Sequence, residues 1–313
     1  MRAVIAEDGD LRVEERPDPV PCKGEVLVAV HAAGVNGADI HQRKGRYPAP
    51  PGSPQDIPGL ELAGEVVELG EGALRFAVGD RVMAVVGGGG QAELAVLHER
   101  AAMPVPDGLG WPEAGGVPEV FTTAHDAIFT QAGLQAGEKL LVHGAAGGVG
   151  TAAVQLGRAA GARVVATVRN EALRGEVAKL GATAIAPDGF DEHGPFDVVL
   201  ELVGSPNMER NLGALALRGR IVVIGIGAGA KAELNLGLLM GKRGRIQAST
   251  LRPRPLEEKA EAMREVERHV LPLLESGAIR VPVAATYPLD QAVDAYARFE
   301  EGGKLGKIVL LAR

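Results

Sequence analysis

The sequence predicts an α/β protein in which a doubly wound parallel sheet is inserted into a mainly β domain built from both chain ends. Residues 112–250 alternate short apolar strands with helical segments, which is typical of a parallel sheet covered on both faces. Residues 1–111 instead show short strands separated by glycine and proline, and residues 251–313 return to a mixed pattern that closes on a strand. The length also suits two domains.

In the first segment, three apolar stretches predict strands, at Glu25–Val30, Glu61–Leu69 and Asp80–Val86. Five prolines between Pro48 and Pro58 predict a long irregular loop, because proline fixes φ and lacks an N–H donor. Loops on a rigid scaffold often carry binding residues, so this loop is a candidate wall of a site.

The middle segment and the C-terminal return follow a different pattern. Periodicity predicts five strands and two helices in the middle segment, and two helices with a closing strand in the return. The strands are Lys139–His143, Arg163–Val168, Thr183–Ala186, Phe196–Glu201, Arg220–Gly225 and Lys307–Leu311, and the helices are Thr151–Ala160, Glu171–Leu180, Leu256–Ser276 and Leu289–Glu300.

Composition limits the class of protein. The chain is 46% hydrophobic and 23% charged, as soluble globular proteins are, and its net charge of −7 argues against a nucleic-acid or anionic-membrane partner.

The single cysteine, Cys22, allows neither an intrachain disulfide nor a four-cysteine zinc site, and favours a reducing, cytoplasmic compartment. The N-terminus lacks the pattern of a signal peptide. The uncharged run Leu140–Gly157 is rich in glycine, so a strand, turn and helix explain it better than a membrane span.

The strongest chemical signal is a glycine-rich turn in the middle segment, Gly-Ala-Ala-Gly-Gly-Val-Gly, which follows His143 and precedes a predicted helix. Such a turn lets the backbone approach a pyrophosphate, and the helix N-terminus supplies free N–H groups and the positive end of its dipole. The alternative is an ordinary tight turn between strand and helix. The candidate dinucleotide contacts in it are Ala145, Gly147, Gly148, Val149 and Gly150.

The end of the second strand distinguishes the two nicotinamide dinucleotides. An acidic side chain there would bond the ribose 2′-hydroxyl, whereas an arginine favours a 2′-phosphate. The sequence has Arg169 and Asn170, no acid before Glu171, and Arg174 one turn later. A guanidinium suits a phosphate, and Asn170 can bond the ribose. We therefore expect NADP(H), with a merely solvated Arg169 as the alternative.

Motifs spread over the whole chain carry a family resemblance. They include Gly34–Asp39 (Gly-Val-Asn-Gly-Ala-Asp), Gly45–Pro48, Pro58–Gly64, Gly79–Val82, the glycine-rich turn and Gly306–Leu310. As a set they resemble the medium-chain dehydrogenase/reductase superfamily, and specifically its zinc-free, zeta-crystallin-like quinone oxidoreductase branch. The resemblance implies a Rossmann domain inserted in a GroES-like catalytic domain, and NADPH-dependent transfer of hydride to a quinone or related conjugated carbonyl.

The comparison with zinc-containing members implies that no metal takes part. Their Gly-His-Glu motif reads Gly59-Leu60-Glu61 here, and the position of their first cysteine ligand falls near Asn36. His31 and His41 have no ligand-spaced partner, and His143 lies beside the glycine-rich turn, so we expect structural or surface roles for them. Without a Lewis acid, nothing would stabilise an alkoxide, and unactivated alcohols would be poor substrates.

The resemblance also implies individual site residues. Tyr47 would line the nicotinamide and substrate slot and orient the acceptor, more as a donor than as an obligatory acid; the alternative is a loop-anchoring aromatic. Asn36 would bond the substrate oxygen, or else form a turn. Thr123 would lie near the nicotinamide, or else bond its own helix backbone. Further cofactor contacts are expected at Val203, Gly225, Ile226, Gly227, Leu251 and Lys307, the last with an exposed strand lysine as its alternative.

One position departs from the family. Many relatives hold the 2′-phosphate with a lysine where Leu173 stands here, so that role would pass to Arg169 and Arg174. Two alternative functions stay open: reduction of enones or enoyl thioesters, with a proton donor at the α-carbon, and NADPH binding without significant turnover. By resemblance we also expect a homodimer, joined through an edge strand near Arg220–Gly227, and a small-molecule substrate.

Overall fold

The computed structural model describes all 313 residues of the chain and divides into two compact units. The first boundary lies at 122/123, beyond the expected 111/112, because the helix at Trp111–Ala114 packs on strands of the first unit. The second boundary lies at 250/251. Unit 1 comprises Met1–Thr122, Leu251–Gly302 and Lys307–Arg313, and unit 2 comprises Thr123–Thr250 and Gly303–Gly306.

Fifteen strands follow one another along the chain. Several of them, such as Glu61–Leu69 and Phe196–Glu201, have the bounds that the apolar runs predict. The strands are β1 (Arg2–Glu7), β2 (Asp10–Glu15), β3 (Glu25–Val35), β4 (Glu61–Leu69), β5 (Arg81–Val85), β6 (Leu94–His98), β7 (Ala102–Pro104), β8 (Lys139–Val142), β9 (Arg163–Thr167), β10 (Thr183–Ile185), β11 (Phe196–Glu201), β12 (Leu215–Val223), β13 (Arg245–Ala248), β14 (Val283–Pro288) and β15 (Lys307–Leu311).

Ten α-helices complete the structure. The predicted long C-terminal helix is interrupted at Val270, two residues before Pro272, whose missing N–H cannot continue the helical ladder. None of the helices combines the length and the apolarity that crossing a lipid bilayer requires. They are α1 (Gly37–Arg43), α2 (Trp111–Ala114), α3 (Pro118–His125), α4 (Gly148–Ala159), α5 (Arg174–Lys179), α6 (Met208–Gly213), α7 (Leu236–Lys242), α8 (Leu256–His269), α9 (Leu271–Glu275) and α10 (Ala292–Glu301).

Unit 2 is built on a six-stranded parallel sheet of order β10-β9-β8-β11-β12-β13. Counted within the unit, this order is 3-2-1-4-5-6, the doubly wound arrangement whose topological switch point lies between its first and fourth strands. The central strands are fully buried at Leu140–Val142 and Val198–Leu200, as expected for a parallel sheet covered on both faces. The predicted fold class is confirmed.

The outer strand of this sheet differs from the prediction. The strand predicted at Arg220–Gly225 is β12, which begins at Leu215 and pairs with β11 on one side and β13 on the other. The edge is β13, whose sequence Arg-Ile-Gln-Ala lacks the apolar run that would have revealed it. The expectation that the strand near Arg220–Gly227 is an edge of the sheet is therefore wrong, because hydrogen bonds occupy both sides of β12.

Unit 1 contains a seven-stranded sheet of order β14-β15-β3-β4-β5-β7, with β6 also paired to β3, and a separate β1–β2 hairpin. Its pairs are antiparallel, apart from the parallel pair β14–β15. Strand β3 extends beyond the predicted Val30 to Val35, because its second half pairs with β15 from the far end of the chain. The C-terminal return thus completes the sheet that the N-terminal segment begins.

The run Gly87–Gly90 lets the proline-rich loop approach closely. A Cβ on Gly87 would overlap Ser53 Oγ and lie 2.9 Å from Pro50 Cγ, and one on Gly88 would lie 2.8 Å from the Pro54 carbonyl oxygen. Real Cβ atoms do not approach other atoms so closely, so these glycines are required by packing. The loop that carries Tyr47 therefore packs directly against the backbone of Gly87–Gly90.

Candidate functional site

The glycine-rich turn of unit 2 joins β8 to α4 at the carboxyl end of the sheet. Gly147 is the residue before the helix, with φ −76° and ψ 172°. Gly150 lies in the first turn of the helix and is buried; a Cβ there would lie 2.6 Å from both Ala145 Cα and the Gly144 carbonyl oxygen. Gly150 therefore has to be glycine for the helix to lie this close to the turn.

The first amides of α4 are available to a ligand. Thr151 donates to the Gly147 carbonyl at 2.8 Å, but the amides of Gly148, Val149 and Gly150 donate no hydrogen bond to other backbone groups. A Cβ on Gly147 would meet nothing closer than the Gly144 oxygen at 3.4 Å, so open space lies beside them. Three free N–H groups at the positive end of a helix suit a pyrophosphate.

A short segment from the C-terminal part of the chain supports this turn. The Gly306 amide donates to the Ala146 carbonyl at 2.8 Å, and Gly306 forms a parallel bridge with Gly147. Lys304 lies in the same segment, and its Nζ donates to the Gly306 carbonyl at 3.1 Å. A cation thus lies in the segment that pairs with the turn, and no local sequence signal reveals it.

The predicted 2′-phosphate residues lie together at the end of β9, the strand beside β8. The Ala145 amide donates to the Thr167 carbonyl at 3.1 Å, which ties this strand end to the turn. Arg169 is exposed, and Asn170 Oδ1 accepts from the Ala172 amide at 3.1 Å. Arg174 Nε donates to the Val168 carbonyl at 3.3 Å, so the Arg174 guanidinium lies at the strand end that Arg169 follows.

The segments after β11 and β12 close the same edge. A Cβ on Gly204 would lie 2.5 Å from the Gly229 carbonyl, and one on Gly225 would overlap the Leu202 carbonyl. The Ala228 amide donates to the Val203 carbonyl at 2.9 Å, which joins the two segments. The predicted contacts Val203, Gly225, Ile226 and Gly227 therefore share one edge, where Ile226 and Gly227 are exposed. Thr123 lies half-buried in α3 of the same unit.

A buried polar network underlies this edge. Glu201 is fully buried, and its carboxylate accepts from the amides of Val203 at 2.6 Å and Gly204 at 2.8 Å, and from Asn211 Nδ2 at 2.7 Å. The orientation of Asn211 leaves its Oδ1 to accept from His143 Nε2 at 2.8 Å. Burial lowers the pKa of His143, which keeps its imidazole neutral. His143 is a structural residue of this network.

In unit 1, three buried side chains form one cluster, Asn36, Glu61 and Lys307. Lys307 Nζ donates to Glu61 Oε1 at 2.6 Å, to Asn36 Oδ1 at 2.7 Å and to the Val35 carbonyl at 3.1 Å. Lys307 is only 3% exposed, so an exposed strand lysine is the wrong description. Its three ammonium hydrogens are all engaged within unit 1, which leaves none of them for the expected cofactor contact.

Asn36 is likewise held on both sides of its amide. Its Nδ2 donates to Glu61 Oε1 at 2.9 Å and to the Gly34 carbonyl at 3.4 Å, while its backbone amide donates to Asp39 Oδ2 at 2.8 Å and helps begin α1. Asn36 therefore also has the turn-forming role that was its alternative. Donation to a substrate oxygen would have to replace the long bond to Gly34.

Asp39 is a second buried carboxylate in this region. It accepts hydrogen bonds from the amides of Asn36 at 2.8 Å and Gly59 at 3.1 Å. Burial is the main cause that raises the pKa of Asp39 to about 7, although both hydrogen bonds oppose it. The Asp39 carboxyl group therefore loses its proton only as the pH approaches neutrality.

Tyr47 lies half-buried in the proline-rich loop, where the charges of Glu119 and Arg252 act on its phenol. Burial raises the pKa of the Tyr47 phenol, the Glu119 carboxylate adds to this, and Arg252 opposes it. The phenol is therefore protonated at neutral pH and can donate. Arg252 follows the buried Leu251, and its guanidinium carbon lies 5.1 Å from the centre of the Tyr47 ring. No motif in the sequence marks Arg252 as a site residue.

No group of three or more His, Cys, Asp or Glu side chains in the structure is arranged to hold a metal ion. The two positions at which the sequence comparison expects zinc ligands in other members carry the amide of Asn36 and the alkyl side chain of Leu60. The nearby Glu61 carboxylate is engaged with Lys307, Asn36 and the Glu119 amide.

Comparison with known proteins agrees with this architecture. Residues 22–107 match the alcohol dehydrogenase GroES-like domain, and residues 175–310 match a domain family described as zinc-binding dehydrogenase. Quinone oxidoreductase of Rattus norvegicus is 31% identical over 306 residues, covering 94% of this chain and 91% of that protein. The Mus musculus quinone oxidoreductase is 32% identical over 307 residues, with the same coverage.

Solved structures show the same relationship. The Escherichia coli quinone oxidoreductase complexed with NADPH superimposes with a TM-score of 0.87 at 28% identity, covering 99% of both chains. A mycobacterial protein complexed with NADPH has a TM-score of 0.87 at 27% identity, covering 99% of this chain and all of the other. The predicted resemblance is confirmed: the chain belongs to the quinone oxidoreductases of the medium-chain dehydrogenase/reductase superfamily.

Proposed function

We propose that this protein is an NADPH-dependent reductase of quinones or related conjugated carbonyls that works without a metal ion. The observation that carries the proposal is the set of free amides at Gly148, Val149 and Gly150, beside the strand end that bears Arg169 and Arg174. Two relatives that match 94% of the chain are quinone oxidoreductases, and two similar structures are complexed with NADPH.

The residues of unit 2 fit an NADP(H) dinucleotide. The free amides of α4 would hold the pyrophosphate, and the glycine at position 150 provides the close approach that this requires. Arg169 and Arg174 would hold the 2′-phosphate and Asn170 the ribose, because no acidic side chain precedes Glu171 at this strand end. When bound, NADPH supplies the hydride.

The side chains of unit 1 at the expected metal-ligand positions support the metal-free part of the proposal. Zinc in proteins takes thiolate, imidazole and carboxylate ligands, and the two expected ligand positions carry Asn36 and Leu60. The Glu61 carboxylate beside them lies 2.6 Å from the Lys307 ammonium. A divalent cation at Glu61 would have to displace or repel a buried ammonium, so this arrangement suits an amide-and-lysine cluster better than a zinc site.

Tyr47 is the residue that would donate a hydrogen bond to the oxygen of the acceptor. A quinone is already electrophilic, so orientation and exclusion of water contribute most of the rate, and the oxygen that becomes negative needs one hydrogen-bond donor. The half-buried Tyr47 phenol stays protonated at neutral pH and would donate to that oxygen. Enone or enoyl reduction, with a proton delivered to carbon, is the alternative that uses the same residue more heavily.

The direct test is oxidation of NADPH by the purified protein with a panel of quinones and enones, followed by loss of nicotinamide absorbance and repeated with NADH. We expect faster turnover with quinones and with NADPH, unaffected by prior dialysis against a strong chelator and accompanied by substoichiometric zinc in elemental analysis. Tight NADPH binding without oxidation by any acceptor would support the binding-protein alternative. Activity lost on chelation and restored by zinc would refute the metal-free mechanism.

We also propose a homodimer and a cytoplasmic location. The single cysteine supports the second. The dimer is supported by the unpaired outer side of β13 and by the neighbouring helix α7, on which Leu236 is 66% and Met240 is 77% exposed. Sedimentation velocity would test it, with Met240→Glu expected to shift the protein toward the monomer.

A further inference from the structure

Arg252 is a buried cation that touches three different parts of unit 1. It is only 2% exposed. Its Nε donates to the Gly87 carbonyl at 2.7 Å, one terminal nitrogen donates to the Tyr47 carbonyl at 3.0 Å, and the other donates to Gln42 Oε1 at 2.6 Å. These acceptors belong to the run Gly87–Gly90, the proline-rich loop and helix α1, respectively.

All of these acceptors are neutral, and Arg252 forms no ion pair. Burying a guanidinium without a carboxylate partner is unfavourable, and burial accordingly lowers the pKa of Arg252. Simple packing of this space would be better served by an apolar side chain. Because burial of the Arg252 guanidinium is unfavourable, its presence here indicates a role beyond packing.

One side chain holds Tyr47 in two ways. Arg252 binds the Tyr47 carbonyl, which fixes the backbone of the loop, and the guanidinium also lies over the Tyr47 ring at 5.1 Å from its centre. The second contact is a cation–π interaction, which restricts the tilt of the ring. Together they set both the position of the loop and the direction in which the phenol points.

Charged groups on several elements face this pair. The Glu119 carboxylate of α3 acts on Tyr47, Arg252 and Lys259, and Asp39 of α1 acts on Arg252. For the Tyr47 phenol, burial and Glu119 both favour the protonated form, and Arg252 is the group that favours ionisation. The proximity of the cation therefore makes the phenol a stronger hydrogen-bond donor than its burial alone would allow.

We propose that Arg252 is a positioning residue for Tyr47, holding its loop and ring in place and making the buried phenol a stronger donor to the acceptor oxygen. The proposal rests on the proposed function in assigning the phenol to the acceptor. The geometric part, a cation that orients and polarises Tyr47, concerns unit 1 alone and is measurable without turnover.

The test replaces all three tyrosines with 3-fluorotyrosine, whose phenol ionises at a pH that folded proteins tolerate, and follows each by ¹⁹F NMR. Tyr47→Phe assigns the Tyr47 signal. We expect Arg252→Met to raise the ionisation midpoint of Tyr47, because the neighbouring positive charge is lost. Arg252→Lys keeps a charge but not the planar fork, so its midpoint should lie nearer to that of the parent protein.

The matched control is Arg46→Met, which removes an exposed arginine one residue before Tyr47. It should leave the midpoint unchanged, which separates proximity to Arg252 from a general change in net charge. The other two tyrosines, Tyr287 and Tyr296, serve as internal references, and unchanged signals from them show that unit 1 remains folded in each variant.

In steady-state assays with a quinone, Arg252→Met should lower kcat severalfold at most and no more than Tyr47→Phe does, because Arg252 acts only through a phenol that orients the acceptor, with KM for NADPH nearly unchanged. Arg252→Lys should recover part of that loss. An unchanged Tyr47 midpoint in Arg252→Met, or an equal rise in Arg46→Met, would overturn the proposal. Absence of turnover in the parent protein would refute the proposed function, whereas the NMR result would still decide the role of Arg252.

Discussion

The ammonium of Lys307 lies 2.6 Å from the carboxylate of Glu61, and neither side chain is more than 3% exposed. The two residues are brought together by the pairing of β15 with β3 and of β3 with β4, far apart in the sequence. Asn36 bridges them, since its Oδ1 accepts from Lys307 and its Nδ2 donates to Glu61. The amide of Asn36 is thereby fixed in a single orientation.

Removal of one partner from this pair should be costly. Lys307→Met leaves the Glu61 carboxylate buried and uncompensated, and we expect the free energy of unfolding to fall by about 3–5 kcal/mol in urea titrations. The double variant Lys307→Met with Glu61→Gln should lose much less than the sum of the two single changes. Additive losses would show that the two groups do not interact.

Gly150→Ala should weaken NADPH binding. The new Cβ would lie 2.6 Å from the Ala145 Cα, so α4 has to move away from the turn that would hold the pyrophosphate. We expect at least a tenfold rise in Kd by calorimetry, about 1.4 kcal/mol or more. Gly241→Ala is the control, because a Cβ there meets nothing within 4 Å on an exposed part of α7, and its Kd should match that of the parent.

Arg169→Ala should reduce the preference for NADPH over NADH. Loss of a charge-assisted hydrogen bond to the 2′-phosphate should raise Kd for NADPH roughly 10- to 100-fold, with little change for NADH. Arg163 begins the same strand at its opposite end and is exposed, so Arg163→Ala should change neither affinity. Equal losses for both dinucleotides in Arg169→Ala would argue against a 2′-phosphate contact.

Asp39 should make stability depend on pH. Its pKa is raised by burial to about 7 in the folded protein, from an ordinary value near 3.8, so the folded state binds the proton more tightly than the unfolded state. Its contribution to stability is therefore present below about pH 4 and is lost as the pH rises to about 7. In urea titrations, Asp39→Asn should lack this decline, which reaches at most about 1.4 kcal/mol per pH unit. Parallel pH profiles of the two proteins would contradict this origin.

Tyr47→Phe should separate the two reductase functions. A quinone reductase should keep most of its kcat, because the phenol only orients an acceptor that is already electrophilic. An enone reductase that takes its proton from the phenol should lose about 10²-fold or more. The comparison is made on the same enzyme preparation with one quinone and one enone, and Tyr287→Phe serves as the control on a distant strand of unit 1.

Local pattern predicted the elements that carry their own signal. Strands Glu61–Leu69 and Phe196–Glu201 are continuous or alternating apolar runs, and the glycine-rich turn lies between a strand and a helix as its motif indicates. The edge strand Arg245–Ala248 has a neighbouring strand on one side only and is partly exposed. It has no apolar run, so local pattern does not predict it. The edge of the sheet is consequently one strand further out than the sequence predicts.

The sequence by itself determined the doubly wound class, the glycine-rich turn between strand and helix, and the arginines that follow β9. These follow from residue type and near-neighbour spacing. Only the tertiary structure decided that Lys307 supports Asn36, that Gly303–Gly306 pairs with the turn and that Arg252 holds Tyr47. The physical reason is that each of these contacts joins residues more than 100 positions apart, where strand pairing and loop packing, not local periodicity, bring side chains together.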